Sequence, residues 1–196
     1  MGLKTAGRQK LVKLIIYIVL LLGAALVSRY SQTPQNPGIL GTDNTPLPPG
    51  YYRVLEFYDG DTISVDMDGN AEKVRFVGVD TPETKHPSKP VECFGEAASA
   101  FTKELVGGNP VRLEADPLSS NRDRYDRLLR YVYLPDGRLV NLAIVEQGYG
   151  HAYIAFEFSK MDEFVAAQDR ARESNRGLWS SCPATISARL NVPARL

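Results

Sequence analysis

Two tight-turn sequences divide the segment that follows Tyr51 into three short β-rich stretches. The turn Tyr58-Asp59-Gly60-Asp61 separates residues 53–57 from residues 62–67, and Asp68-Gly69-Asn70 separates the latter from residues 72–79. Asp-Gly and Gly-Asn sequences between β-rich runs are typical of hairpins. The spacing therefore predicts a meander of three consecutive strands.

The next 100 residues add helical periodicity to this β-rich start. Residues 92–106 place apolar side chains at helical spacing and stop at Gly107-Gly108. Residues 110–115 and 128–134 read as two further strands, and residues 139–147 and 159–174 as helices. Five strands with a helix between the third and fourth predict an α+β fold, a five-stranded OB-fold Greek-key β-barrel with about three helices.

The formal net charge of zero hides two unlike parts of the chain. Residues 1–30 hold five basic and no acidic side chains, whereas the other 166 residues hold 18 basic and 23 acidic ones. The composition, 43% hydrophobic and 23% charged, excludes a collagen-like, a disordered and a multi-span membrane protein. The neutral total therefore says little about nucleic-acid binding.

An apolar run follows the basic start of the chain. Its uninterrupted part, residues 14–27, would span about 21 Å as a helix, against the roughly 30 Å of a hydrocarbon core. Residues 11–28 are therefore either a signal-peptide core or a short membrane anchor. We expect an uncleaved hydrophobic helix, because no clear small-residue cleavage site follows. The charge bias predicts that the N-terminus lies in the cytoplasm and the rest outside it.

The remaining chain divides into a linker, a domain and a tail. Residues 31–50 contain five prolines and three glycines without periodicity, which is typical of a linker. We expect one folded domain over residues 51–182 and a tail over residues 183–196.

Six charged residues indicate chemistry on phosphate. They are Asp59, Asp61, Asp80, Glu83, Arg75 and Arg127. Each motif alone is typical of a turn, a cap or a charged loop. Together, clustered carboxylates suit a hard cation such as Ca²⁺, and arginines beside it suit phosphate. The combination predicts metal-assisted phosphodiester cleavage.

The motifs that hold these residues resemble the staphylococcal (micrococcal) nuclease family, also called thermonucleases. The matching stretches are residues 59–62 (DGDT), 74–87 (VRFVGVDTPETKHP), 91–103 (VECFGEAASAFTK), 122–127 (RDRYDR), 139–148 (LVNLAIVEQG) and 177–179 (GLW). They extend over residues 51–180, about two thirds of the chain.

The resemblance implies a role for each matched position. Ca²⁺ would be held by Asp61, Asp80 and the carbonyl of Thr81. Asp59 would lie next to these ligands without binding the ion directly. Glu83 would be the base that activates or positions the attacking water. The cleavage that the family performs leaves a 3′-phosphate and a 5′-hydroxyl on DNA or RNA. Charge on the reacting phosphate would be stabilised by two arginines, Arg75 and Arg127.

The loop before the fifth strand departs from the family pattern. Asp126 stands where the family has glycine, and its carboxylate is expected either to pair with Arg127 or to alter the approach of substrate. Tyr125 matches a nucleotide-contacting tyrosine. Tyr153 either matches a second one or packs inside the domain. Arg124 and Lys85 are further candidate substrate contacts.

The two cysteines and two histidines do not have the spacing of a zinc site. Cys93 and Cys182 instead fit an extracellular disulfide between the start of the first predicted helix and the end of the domain.

The leading hypothesis is a monomeric, secreted or anchored Ca²⁺-dependent nuclease that acts on DNA and RNA. Two alternatives are a catalytically inactive OB-fold module that binds nucleic acid and an anchored adhesion or scaffold domain. Neither alternative needs the complete set of Asp61, Arg75, Asp80, Glu83 and Arg127, which favours the enzyme.

Overall fold

The computed structural model describes residues 46–84 and 91–182. The predicted N-terminal hydrophobic helix, most of the linker, Lys85 and the C-terminal tail lie outside the described residues. Within the described residues, no helix is long and apolar enough to cross a membrane.

Residues 46–84 and 91–182 contain eight strands, which form two sheets. In chain order they are β1 Tyr51–Tyr52, β2 Val54–Phe57, β3 Thr62–Met67, β4 Asn70–Phe76, β5 Val79–Asp80, β6 Val111–Glu114, β7 Leu128–Tyr133 and β8 His151–Ala152. The larger sheet has the order β1-β6-β7-β4-β3-β2, and β5 pairs with β8 in a separate two-stranded sheet. The pairs β2–β3 and β3–β4 are antiparallel, which confirms the predicted meander, whereas β4 and β7 are parallel.

The larger sheet curls back on itself. Its two end strands, β1 and β2, are separated in the chain by Arg53 alone. One short stretch therefore pairs with β6 on one side and with β3 on the other, which requires a curved, barrel-like sheet. This mixed sheet and its helices fit the predicted OB-like α+β fold. The sixth strand of this sheet, β1, was not predicted, because two residues are too few to show an alternating pattern.

The predicted strand over residues 72–79 is wrong at its end, because Gly78 divides it into β4 and β5. Gly78 has a φ of +77°, a conformation that favours glycine. A Cβ there would lie 2.6 Å from the ring of Phe158. The turn directs the chain out of the large sheet and into β5, where Asp80 lies opposite His151.

Three helices lie close to their predicted positions, and a fourth was not predicted. They are α1 Gly95–Val106, α2 Val140–Glu146, α3 Met161–Glu173 and α4 Leu178–Ser181. The first begins three residues later than predicted, because Phe94 adopts a left-handed φ of +71°. The single turn of α4 is too short to show periodicity in the sequence.

Two buried polar side chains connect the helices to the strands that carry the candidate site. In α1, the hydroxyl of Thr102 donates a 2.6 Å hydrogen bond to the carbonyl of Gly60 in the first hairpin. In α2, the side chain of Asn141 donates to the carbonyl of Val77 at 2.9 Å and accepts from the backbone N–H of Val132 at 2.9 Å. These contacts fix the hairpin and the end of β4 relative to the core.

Candidate active site

One cleft of about 420 Å³ collects the charged residues that the sequence singles out. They come from the first hairpin, the end of β4, β5 and the chain just after it, and the loop before β7. The residues that line the cleft are Asp59, Asp61, Arg75, Asp80, Thr81, Glu83, Tyr125 and Arg127.

Asp61 is the buried centre of the cleft. Only 4% of its surface is exposed. Its Oδ2 accepts hydrogen bonds from the backbone N–H of Thr81 at 2.8 Å and from the hydroxyl of Thr81 at 3.0 Å. A Cβ at Gly60 would lie 2.7 Å from the methyl carbon of Thr81. The hairpin and the chain after β5 are therefore held in direct contact.

Arg75 forms a fork between two carboxylates. Its Nη1 lies 2.9 Å from Oδ2 of Asp61, and its Nη2 lies 2.8 Å from Oδ1 of Asp80. Nη1 also donates to the carbonyl of Val79 at 2.7 Å. Burial works against the charge of Arg75, but Asp61, Asp80 and Asp59 raise its pKa. The guanidinium therefore remains charged in this cleft.

The carboxylates of the cleft carry more negative charge than Arg75 offsets. Burial and the nearby charge of Asp61 raise the pKa of Asp59 to about 7. Burial raises the pKa of Asp80 to about 6 although Arg75 opposes the change, and Asp61 adds to it. A carboxylate whose charged form is disfavoured in this way gains from a nearby cation.

The donors of the cleft fit Ca²⁺ in chemical type. Asp61, Asp80 and the carbonyl of Thr81 supply only oxygen, which hard cations prefer. In the part of the chain that the structure describes, no three acidic, histidine or cysteine side chains form a closed set of ligands. If Asp61, Asp80 and the carbonyl of Thr81 hold the ion as the sequence predicts, water would fill the other positions of a hard cation.

Glu83 is held through its backbone by Glu92. The N–H of Glu83 donates to Oε2 of Glu92 at 3.1 Å, and the N–H of Glu92 donates to the carbonyl of Glu83 at 2.9 Å. The carboxylate of Glu83 accepts from the N–H of Thr84 at 3.0 Å. Sequence reasoning missed Glu92, because no local pattern signals a contact across nine residues.

Arg127 is paired with Asp123. Its Nε and Nη2 lie 2.8 and 2.7 Å from Oδ2 of Asp123. Burial would raise the pKa of Asp123, but hydrogen bonds from Arg127 outweigh it and lower the pKa. The expected pairing of Asp126 with Arg127 is not found. Asp126 faces Arg122 instead, with 3.6 Å between Oδ1 and Nε, and has a φ of +64°. Sequence reasoning missed Asp123 as a partner, because spacing within an irregular loop does not show which side chains meet.

A second cavity of about 670 Å³ adjoins the cleft and shares Arg75, Asp80, Tyr125 and Arg127 with it. We call it the aromatic groove, because exposed rings line it. They belong to Tyr125 (63% exposed), Tyr153 (38%) and Phe156 (70%).

The rings of the aromatic groove lie beside cationic side chains and beside one another. The guanidinium of Arg124 lies 4.7 Å from the centre of the Tyr125 ring. The rings of Tyr153 and Phe156 are 6.0 Å apart. Tyr153 therefore lies at the groove instead of inside the core. Phe156 was missed, because a lone aromatic residue in a loop gives no sequence signal.

A disulfide joins Cys93 to Cys182, with 6.0 Å between their Cα atoms. It connects the residues that flank the start of α1 and the end of α4.

Comparison with known proteins identifies relatives of this chain. The family model for staphylococcal nuclease homologues matches residues 73–181. A thermonuclease of Staphylococcus intermedius is 36% identical over 162 residues, which cover 82% of this chain and 95% of the relative. A thermonuclease of Staphylococcus hyicus is 37% identical over 66% of this chain and 76% of the relative. Endonuclease YncB of Bacillus subtilis is 39% identical over 62% of this chain and 58% of its own length.

The matched region holds most of the cleft, from the strand that carries Arg75 to the last helix. Both the family model and the two thermonucleases match most of the chain. This chain therefore belongs to the family of staphylococcal nuclease homologues.

Proposed function

We propose that this protein is a calcium-dependent nuclease. It hydrolyses phosphodiester bonds of DNA and RNA outside the cytoplasm and leaves 3′-phosphate and 5′-hydroxyl ends. The observation that carries the proposal is the single cleft, which unites four carboxylates with two arginines: Asp59, Asp61, Asp80, Glu83, Arg75 and Arg127. The names of the relatives, thermonuclease and endonuclease, support it.

Calcium would be held by Asp61, Asp80 and the carbonyl of Thr81. The oxygen-only donors and the raised pKa values of Asp59 and Asp80 support a cation at this position. When bound, Ca²⁺ would balance the carboxylates and polarise a phosphate oxygen.

Glu83 is the proposed general base, and its carboxylate accepts a proton from the attacking water. The carboxylate lies in the same cleft as both arginines, so water and phosphate can meet there. Its backbone is fixed on both sides by Glu92, which limits the positions that the carboxylate can reach. A positioned base typically contributes about 10²–10⁴-fold to a rate.

Arg75 and Arg127 stabilise the charge that develops on the phosphate oxygens. Arg75 uses part of its five N–H donors on Asp61, Asp80 and Val79, and the others remain for phosphate. Arg127 reaches the cleft from the loop before β7. Donors fixed before the reaction stabilise a transition state without further reorganisation.

The aromatic groove is the proposed site for bases next to the bond that is cut. Tyr125, Tyr153 and Phe156 present ring faces on which bases can stack. Arg124 and Lys85 supply positive charge near the phosphates in this proposal. A monomer is part of the proposal, because residues of one chain line both the cleft and the groove.

Two features support a location outside the cytoplasm. One is the basic and apolar start of the chain, residues 1–30, which is typical of a signal or an anchor. The other is the disulfide between Cys93 and Cys182, since disulfides persist mainly in oxidising compartments.

Incubation of the full chain with end-labelled single- and double-stranded DNA and RNA, in Ca²⁺ or in chelator, tests the proposal. We expect cleavage in Ca²⁺ that chelator abolishes, with products whose 5′ ends accept phosphate from a kinase directly. Binding without cleavage in Ca²⁺ would instead identify an inactive OB-fold binding module.

A further inference from the structure

The segment that leads into α1 contacts both the backbone N–H and the backbone carbonyl of Glu83. Glu92 binds the N–H of Glu83 through its carboxylate and the carbonyl of Glu83 through its own N–H. A Cβ at Gly95 would lie only 2.9 Å from that same carbonyl oxygen. The position of Glu83 therefore depends on where residues 92–95 lie.

The start of this segment lies at the surface, and its end packs on the domain. Glu92 is exposed, and so is Val91 before it. Phe94 has a left-handed φ of +71° and contacts the ring of Tyr149 at 5.3 Å. Between Glu92 and Phe94, Cys93 is covalently bonded to Cys182.

The other end of that covalent bond is fixed to the core. The N–H of Cys182 donates to the carbonyl of Leu178 at 3.0 Å, and the N–H of Leu178 donates to the carbonyl of Gly148 at 2.8 Å. Leu178 is buried. A Cβ on Gly177 would overlap the carbonyl of Gly148, so α4 lies directly on the end of α2.

We propose that the Cys93–Cys182 disulfide positions Glu83 through Glu92, so that cleavage depends on the redox state of this pair. Glu92 is then a positioning residue. This inference rests on the proposed nuclease function for its activity readout. A dithiol reductant transfers two electrons and two protons to the disulfide, giving two cysteine thiols and the oxidised, cyclic form of the dithiol.

Reduction should lower kcat and leave KM nearly unchanged, since the phosphate-binding arginines Arg75 and Arg127 are held by Asp61, Asp80 and Asp123. We expect kcat to fall at least 10-fold in dithiothreitol and KM to change less than twofold, below the melting temperature of the reduced protein. The double variant Cys93→Ser/Cys182→Ser should have the kcat of the reduced wild type, and dithiothreitol should not change it. Equal kcat for oxidised and reduced wild type would overturn the inference.

Two further variants separate positioning from a general loss of structure. Glu92→Gln keeps an oxygen acceptor for the N–H of Glu83 and should retain at least a third of kcat, whereas Glu92→Ala should lose about 10-fold. In a Glu83→Gln background, reduction should change the residual rate less than twofold. The same 10-fold loss in that background would overturn the inference.

Amide hydrogen exchange tests the positioning without any activity. We expect protection of the Glu83 N–H to fall at least 10-fold on reduction, while amides in β3 keep theirs. Unchanged protection of Glu83 overturns the inference even if the protein cuts nucleic acid. If the protein cuts no nucleic acid but reduction still lowers the protection of Glu83 alone, the positioning by the disulfide stands and the proposed nuclease function is wrong.

Discussion

The cleft has two unlike halves. The strand half consists of Asp61, Arg75 and Asp80, which are held by the hairpin, β4 and β5 and by one another. The loop half consists of Glu83, which contacts Glu92, and Arg127, which contacts Asp123; both partners lie in irregular chain. The strand half centres on the buried Asp61 and is connected by ion pairs among its own members, so its geometry follows from the sheet. The loop half is held by contacts with Glu92 and Asp123, which lie in irregular chain, and this makes its geometry more adjustable.

The largest effect should come from the strand half. Arg75→Ala removes a preorganised donor from a water-poor site, so we expect a loss of about 3–4 kcal/mol of transition-state stabilisation, or 10²–10³-fold in kcat. Steady-state cleavage kinetics measure this change. The matched control is Arg138→Ala, which removes an exposed arginine paired with Asp136 and should leave kcat within twofold. Near-normal turnover of Arg75→Ala would remove Arg75 from the proposed chemistry.

The next prediction concerns the stability of the fold. It changes Asp116, which belongs to neither half of the cleft. Asp116 accepts hydrogen bonds from Tyr131, from the backbone and hydroxyl of Ser159, and from the N–H of Leu118. Burial would raise its pKa, but the bonds from Ser159 and Tyr131 outweigh it and lower the pKa to about 2. We expect Asp116→Asn to lower the free energy of unfolding by about 2 kcal/mol at pH 7.

The sign of the pH effect follows from the lowered pKa. The unfolded carboxyl titrates near pH 4 and the folded one near pH 2, so the stabilisation from Asp116 is complete above pH 4 and is lost as the pH falls to 2. Urea unfolding at several pH values should show the wild type losing more stability over this range than Asp116→Asn. Parallel curves would contradict this role of Asp116.

A smaller effect should come from weakening the contact that holds Arg127 in the loop half. Asp123→Asn removes the charged partner of Arg127, so we expect a loss of about 1 kcal/mol, or fivefold in kcat/KM. Asp136→Asn breaks an equivalent pair with Arg138 away from the cleft and serves as control. A loss as large as that of Arg75→Ala would mean that the two halves are equally preorganised.

The smallest effect concerns the backbone of the same loop. Asp126→Gly should raise the free energy of unfolding by about 0.5–1 kcal/mol, because glycine relieves a φ of +64°. Asp68→Gly, at a φ of +55° in the second hairpin, is the matched control. Chemical denaturation measures both. We expect the cleavage rate of each variant to lie within twofold of the wild-type rate. A larger change for Asp126→Gly alone would mean that the Asp126 side chain takes part in substrate binding.

The same contrast explains what the sequence could predict. Periodicity and Asp-Gly turns predicted the hairpin that holds Asp61 and the strand that carries Arg75, because such signals are local. Gly78 gave no comparable signal, so the division into β4 and β5 was missed. The contacts of Glu92 with Glu83 and of Asp123 with Arg127 arise from irregular chain, where spacing does not determine which side chains meet.

The central claim is that the cleft hydrolyses phosphodiester bonds with Glu83 as base. The most direct test is the initial rate of single-stranded DNA cleavage in saturating Ca²⁺ for Glu83→Gln beside Glu96→Gln, an exposed residue in the first turn of α1. Both variants remove one negative charge. We predict a loss of at least 100-fold for Glu83→Gln and less than twofold for Glu96→Gln. A Glu83→Gln protein that retains more than a tenth of the wild-type rate would contradict the account.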